Sequence, residues 1–264
     1  MPRVLEVAQA FSRRESRARS SPLFALGRYA LESAMFVGVL WQLSTLWQRP
    51  VGGAASYFVY AAPALVLVLT TAGAAAATAF AIARARATGD LEAYALTPAS
   101  PADLVIGLGA YPATAMLLRA VFAFCLMALA GVVPAGWETL ATVVSVALGF
   151  ATVLPLALLC GAAAVAGRRV LAAAMLLLGA GIVLSGALFP LATLPEGLSN
   201  LSLLSPFRYL ADAVRLCYNG APPASLLGVW TNLMLWQAVL LPLGWFAVEA
   251  SFTSARRQGK LRQA

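Results

Sequence analysis

The sequence predicts an all-α membrane protein with six transmembrane helices. Three observations carry that prediction. Of 264 residues, 61% are hydrophobic and only 11% charged, whereas a soluble domain is about 25% charged and about 45–50% apolar. The apolar residues fall into six long runs. The basic residues gather at alternate ends of those runs. A soluble globule of this length could not hide so much apolar surface, so the surplus faces lipid. This excludes a disordered chain, a disulfide scaffold and a nucleic-acid module, despite a net charge of +8.

The spans lie near Tyr29–Trp47, Tyr57–Ala83, Leu104–Val133, Thr139–Ala166, Val170–Leu191 and Leu226–Val248. About 20 helical residues cross roughly 30 Å of hydrocarbon. None of the runs alternates, so a closed barrel is excluded and helices remain. Pro112 inside the third predicts a kink or a shallow interfacial start. Residues 1–28 then form a cytoplasmic segment, 29–250 the transmembrane domain and 251–264 a basic cytoplasmic tail. With both termini inside, the inner segments hold fourteen Arg and Lys residues. The outer segments hold three, Arg49, Arg208 and Arg215. That asymmetry places both termini in the cytoplasm of a multi-pass inner (plasma) membrane protein. Trp41, Trp47, Tyr57 and Trp137 form an aromatic belt at the outer ends.

Val4, Val7, Ala8 and Phe11 repeat at helical spacing with Arg3, Glu6, Arg13 and Arg17 off the stripe. This predicts a short amphipathic helix on the inner membrane surface, the alternative being a disordered basic tail. The apolar run after Ser12-Arg13-Arg14 is too long for a cleaved signal, and five more runs follow it. The chain has no His, which removes Ser–His chemistry and His-containing metal sites. Cys125, Cys160 and Cys217 have no metal-ligand spacing and read as small buried hydrophobes. Paired acids suited to a metal are also missing, so an intramembrane enzyme is a poor reading.

Two connections carry more pattern than topology requires. In the cytoplasmic loop after the second span, Asp90 can cap a two-turn helix that Pro98 ends near Thr97. Leu91, Tyr94 and Ala95 share one face. That face either docks into a groove on a partner or packs on the chain's own bundle. The outer connection, residues 186–222, is too leucine-rich for a solvated loop. Pro190, Pro195 and Pro206 cut it too often for a full span. Two short helices dipping back into the outer leaflet fit it best. Arg208 and Asp212 pair at i, i+4 on the second, either solvating its face or serving a gate.

These two connections resemble the permease subunit of type-2 ABC exporters, which move drugs, lipids or glycan precursors outward. The inner loop is similar to the family's Gly-Thr-Leu-Glu…Thr-Pro-x-Ser stretch through Gly89, Leu91, Glu92, Thr97, Pro98 and Ser100. It departs at Asp90, where Thr is usual, and at Tyr94-Ala95, where aliphatics are common. The outer connection is similar to the Gly-x-x-Phe-Pro…Leu-Pro…Pro-x-x-Tyr…Arg run through Gly186, Phe189, Pro190, Leu194, Pro195, Pro206, Tyr209 and Arg215. The resemblance implies that residues 89–97 form a coupling helix seated on an ATPase subunit. It implies that the N-terminal helix is a connecting helix and that the outer residues cap and gate the pathway. Two permease chains, identical or different, would form that pathway, each contributing half.

No nucleotide site of its own is expected. A phosphate-cradling Gly-x-x-x-x-Gly-Lys-Ser/Thr loop needs a Lys, and the single Lys260 has Ser254 at the first Gly position and Leu261 at the hydroxyl position. The chain is therefore expected to be no enzyme and to carry no cofactor or metal, with ATP and Mg bound by a separate ATPase. Arg119, mid-way along the third span, costs at least about 2.5–3.5 kcal/mol there unless it pairs or reaches water. It reads as an inward Arg satisfied by carbonyls, a cross-helix ion pair or a contact to an anionic substrate. Glu32 and Glu249 lie near inner span ends and can reach the interface. Gln42, Ser44, Thr45, Thr70, Thr71, Thr78 and Ser185 either dot an otherwise apolar pathway or serve helix packing beside Gly73, Ala74–Ala77, Gly179 and Gly181. Lining by such residues suits an amphipathic or hydrophobic drug, natural product or lipid. The alternative is an ATP-independent secondary transporter or channel, which would want more ionisable groups at the midplane.

Overall fold

The computed structural model describes residues 22–47, 54, 56–91, 100–134, 136–193 and 195–257, without the side chains of residues 22 and 198. The helices are α1 (Pro22–Leu46), α2 (Tyr57–Thr88), α3 (Pro101–Leu129), α4 (Trp137–Ala151), α5 (Val153–Ala166), α6 (Arg168–Leu184), α7 (Glu196–Leu201), α8 (Pro206–Tyr218) and α9 (Pro223–Arg257). Short 3₁₀ turns at Leu191–Thr193 and Ser202–Leu204 flank α7. The N-terminal amphipathic segment and the end of the basic tail lie outside the described residues. So do Glu92, Tyr94, Thr97, Pro98 and Leu194.

Among the described residues five helical stretches, not six, are long and apolar enough to span: Leu23–Leu46, Tyr57–Thr88, Pro101–Leu129, Trp137–Ala166 and Pro223–Arg257. The expected fifth span, Val170–Leu191, is the 17-residue α6, which ends at Leu184. At 1.5 Å per residue it reaches about 25 Å. Its early end has a local cause. Ser185 Oγ donates to the Ile182 carbonyl at 2.6 Å and accepts from the Ala187 amide at 3.1 Å. Gly186 then turns the chain at φ +69°, a conformation only glycine adopts cheaply.

The expected fourth span is interrupted at Thr152, between α4 and α5. Pro155 causes the break, since it has no N–H to offer the carbonyl four residues back and its ring crowds it. Gln237 of α9 braces the same turn from across the bundle, donating to the Leu148 carbonyl at 2.8 Å and to Thr152 Oγ1 at 3.0 Å. By contrast α3 runs through Pro112 as one helix. Ser100 starts it with a reciprocal capping box to Asp103 and Pro101 in the first turn, the arrangement that satisfies otherwise orphaned amides. The C-terminal helix continues past residue 250 to Arg257.

The central helix is α2, with 67% of its most apolar stretch buried, against 22% for α1 and α3 and 11% for α9. It packs on α3 and α5, while α1 lies on α3, α9 on α5, and α8 on α2. Small residues let these helices approach. A Cβ on Gly109 would lie 2.9 Å from the Thr78 side chain, and one on Gly161 would lie 2.8 Å from Val105. Close packing of small residues substitutes for the hydrophobic drive that lipid does not supply.

Candidate functional site

At the end of the bundle where the loop after the second span begins, α2 stops at Thr88 because Gly89 adopts φ +80° and its amide returns to the Arg86 carbonyl at 3.2 Å. This is a left-handed glycine cap. Helical geometry resumes at Asp90 and Leu91. The Asp90 carboxylate accepts from Thr88 Oγ1 at 2.9 Å. Leu91 is fully buried within the bundle's core cluster. Leu91 thus holds the start of the loop to its own bundle, one of the two arrangements its spacing allowed. Nearby, Arg86 Nη1 donates to the Ala164 carbonyl at 3.4 Å, tying the end of α2 to α5.

At the opposite end, residues 186–222 contain the two short α-helices α7 and α8. The second is strongly amphipathic, burying Phe207, Leu210, Ala211, Ala213, Val214 and Cys217. Arg215, on the same buried side, makes the principal polar contact. Its Nε donates to the Tyr60 carbonyl at 3.2 Å and its Nη2 to the Gly186 carbonyl. The guanidinium sits 3.9 Å from the centre of the Tyr60 ring, and Nη1 lies 3.5 Å from Asp212. Tyr60 Oη also donates to Gly186 O at 3.0 Å, and Tyr57 Oη to Leu188 O at 2.9 Å. Three segments distant in sequence are thus pinned at one point. A Cβ on Gly186 would lie 2.7 Å from Leu191 Cγ, so the turn needs glycine for space as well as for its φ.

Asp212 joins this centre to Arg208, 3.6 Å away, which donates to Ser202 Oγ at 2.7 Å. Burial pushes the Asp212 carboxyl above the usual carboxylate range, with Arg215 and Arg208 drawing it back. Burial also lowers the Arg215 guanidinium, against the pull of Tyr60 and Asp212. For both groups loss of water outweighs pairing. Tyr209 Oη bonds the Leu203 carbonyl at 3.2 Å, and Pro206 occupies the first turn of α8. Phe189 and Pro190 are half-buried, whereas Pro195 is exposed.

A second polar centre lies between α1 and α3. Arg119 Nε donates to Glu32 at 2.7 Å, and Arg28 lies 3.5 Å from the same carboxylate. The Tyr29 ring carries both guanidiniums, at 4.8 Å for Arg119 and 5.2 Å for Arg28. Ser33 Oγ donates to the Arg119 carbonyl at 3.0 Å. The cross-helix ion pair is therefore the arrangement adopted by Arg119.

Residues 40–246 match the family described as ABC-2 family transporter protein. The chain belongs to that family. No curated protein matches it. The matched region contains both the inner loop after α2 and the whole outer connection, and it covers well over half of the chain.

Within this ABC-2 permease the candidate pathway residues separate into groups. Thr71, Thr78 and Ser185 are fully buried. Thr71 reaches the Gly149 carbonyl of α4 at 3.5 Å, whereas Thr78 bonds the Ala74 carbonyl of its own helix at 2.8 Å and lines a cavity with Val105, Gly109 and Val153. Thr70 and Arg119 line a groove of about 200 Å³ with Phe36, Val66 and Leu69. Gln42, Ser44 and Thr45 sit near the C-terminal end of α1, where the two hydroxyls bond to carbonyls of their own helix. Sequence reasoning missed Tyr60, Ser202 and Ser205 as partners of the outer segment. Ser205 Oγ donates to Gly181 O at 3.1 Å. No local signal marks these residues, because their partners are brought close only by the fold.

Proposed function

We propose that this ABC-2 permease is half of the transmembrane pathway of an ATP-driven exporter, powered by a separate ATPase and paired with a second permease chain. The observation that carries the reading is the junction at Gly89–Leu91. A segment that leaves the most buried helix through a glycine cap, and is nailed into the core one residue after Asp90, passes any displacement straight to α2. A lever of this kind has a use only if something pushes on it. The chain's sequence offers no phosphate loop to do so.

On this reading Gly89, Asp90, Glu92, Tyr94, Thr97 and Pro98 form the coupling segment, with Leu91 as its anchor. The outer connection, held through Arg215, Gly186 and Tyr60, caps the pathway as re-entrant helices. The 17-residue α6 counts as a short sixth span, tolerated by local thinning or tilt of its neighbours. Both termini and the Gly89 turn face the cytoplasm, as the distribution of Arg requires. The substrate is an amphipathic or hydrophobic molecule, in keeping with grooves whose walls are mainly aliphatic.

The test is purification of the chain from native membranes with whatever accompanies it. A stoichiometric Walker-motif subunit is expected. Glu92→Lys with Tyr94→Asp should abolish its retention while leaving the permease's unfolding temperature unchanged. Leu91→Ala should instead destabilise the permease itself by about 2–5 kcal/mol, as buried leucines do. A chain that comes out alone and transports without ATP would sink the proposal.

A further inference from the structure

The geometry points to a binding site for one anionic phospholipid at the end of the bundle that carries the Gly89 turn, with the phosphate held by Arg28, Arg84 and Arg119. These residues come from the beginning of α1, the end of α2 and the first two-thirds of α3. They line one open cavity of about 240 Å³, together with Tyr29, Tyr111 and Phe80.

The charge balance of this cavity is unusual for a site between helices. Glu32 is shared by Arg28 and Arg119, at 3.5 and 2.7 Å, so one carboxylate serves two guanidiniums. Among the described residues no carboxylate lies within ion-pair distance of Arg84, which is exposed. The three arginines and Glu32 therefore sum to +2 in a half-enclosed, partly apolar setting. A guanidinium is weakly hydrated and matches a phosphate with two parallel donors. Basic pockets between helices on the cytoplasmic side suit phospholipid headgroups for this reason.

The neighbouring cavity favours a lipid over a soluble phosphate. Met116 and Arg119 line the basic cavity and also the groove of about 200 Å³ between α1, α2 and α3. Beyond them the groove wall is Phe36, Val66, Leu69 and Ala123. A ligand spanning both would set an anionic head against Arg28 and Arg84 and an aliphatic tail against those side chains. Arg119 stands at the boundary. Its pairing with Glu32 holds it there while no headgroup is bound.

The experiment is native mass spectrometry of the purified full-length chain in detergent, titrated with phosphatidylglycerol or with phosphatidylcholine of the same acyl chains. Phosphatidylglycerol should occupy one site more tightly than phosphatidylcholine. Arg28→Gln and Arg84→Gln should each weaken it about fivefold, the usual worth of one basic residue near anionic lipid. Arg168→Gln, an equal charge loss at the exposed start of α6, should leave it unchanged. Glu32→Gln should tighten it by releasing two guanidiniums. Wild-type binding by the Arg28→Gln/Arg84→Gln double variant would overturn the site. Displacement of the lipid by millimolar inorganic phosphate would overturn its lipid character. Binding read in detergent depends neither on an ATPase nor on which leaflet the cavity faces, so a failed co-purification leaves this result standing.

Discussion

Arg215 and Arg119 each bring a guanidinium into the helical bundle, at opposite ends, and the two are held in different ways. Arg215 has a side chain only 10% exposed and spends its donors on two backbone carbonyls and Asp212, with an aromatic ring against its face. Arg119 is 25% exposed, and its carboxylate partner is 42% exposed and shared with Arg28. All three guanidinium nitrogens of the first centre already face a protein oxygen. The second has charge to spare and an open cavity beside it. A buried arginine saturated by carbonyls is a pin, because removing it strands several polar groups at once. A half-exposed arginine with a shared partner is available to a ligand, because water screens the loss of any one contact.

Identical substitutions at the two positions test this contrast most directly. Arg215→Leu should cost about 3 kcal/mol in unfolding measured in detergent, since it removes a buried guanidinium's bonds to the Gly186 and Tyr60 carbonyls and leaves the partly buried Asp212 with Arg208 alone. Arg215→Lys should recover only part of that, because an ammonium cannot bridge both carbonyls with a planar fork. Arg119→Leu should cost no more than about 1 kcal/mol, the range of partly exposed ion pairs. Equal losses at the two sites would erase the distinction between pin and ligand site.

A smaller effect sharpens the same comparison through pH. The Asp212 carboxyl titrates above its unfolded value because burial penalises its charge. The folded chain then binds that proton more tightly than the unfolded chain does. Its contribution to stability is full below about pH 4, the unfolded carboxylate value, and is lost as pH rises through the folded value. Asp212→Asn should remove this slope, which is read by following unfolding of both proteins from acid to neutral pH. An unchanged slope would mean that Asp212 is solvated well enough for its arginine partners to dominate.

Much of the fold was legible before any coordinates. The apolar runs correspond to α1, α2, α3, the α4–α5 pair, α6 and α9, and Ser100 followed by Pro101 and Asp103 is a helix start on chemistry alone. The outer connection was readable as two short helices because its prolines and leucines conflict with both a loop and a span. What failed was the end of α6, set by hydrogen bonds of Ser185 and a glycine turn inside an apolar run. The role of Leu91 stayed open on the sequence alone. Its helical spacing shows that it belongs to an apolar face, but spacing does not say whether that face meets a partner or the chain's own core.

The amino-acid sequence by itself determined that this chain lives in a membrane as helices, which ends carry the positive charge, and that it lacks a phosphate loop. Those properties are sums over local windows or the presence of a motif, and neither depends on how helices meet. Only the tertiary structure decided that Arg215 reaches Tyr60 across 155 residues and Arg119 reaches Glu32 across 87. It also decided which hydroxyls are buried and which line a groove. Those outcomes depend on the relative placement of helices, and a hydropathy run reads the same whichever way its helix is turned.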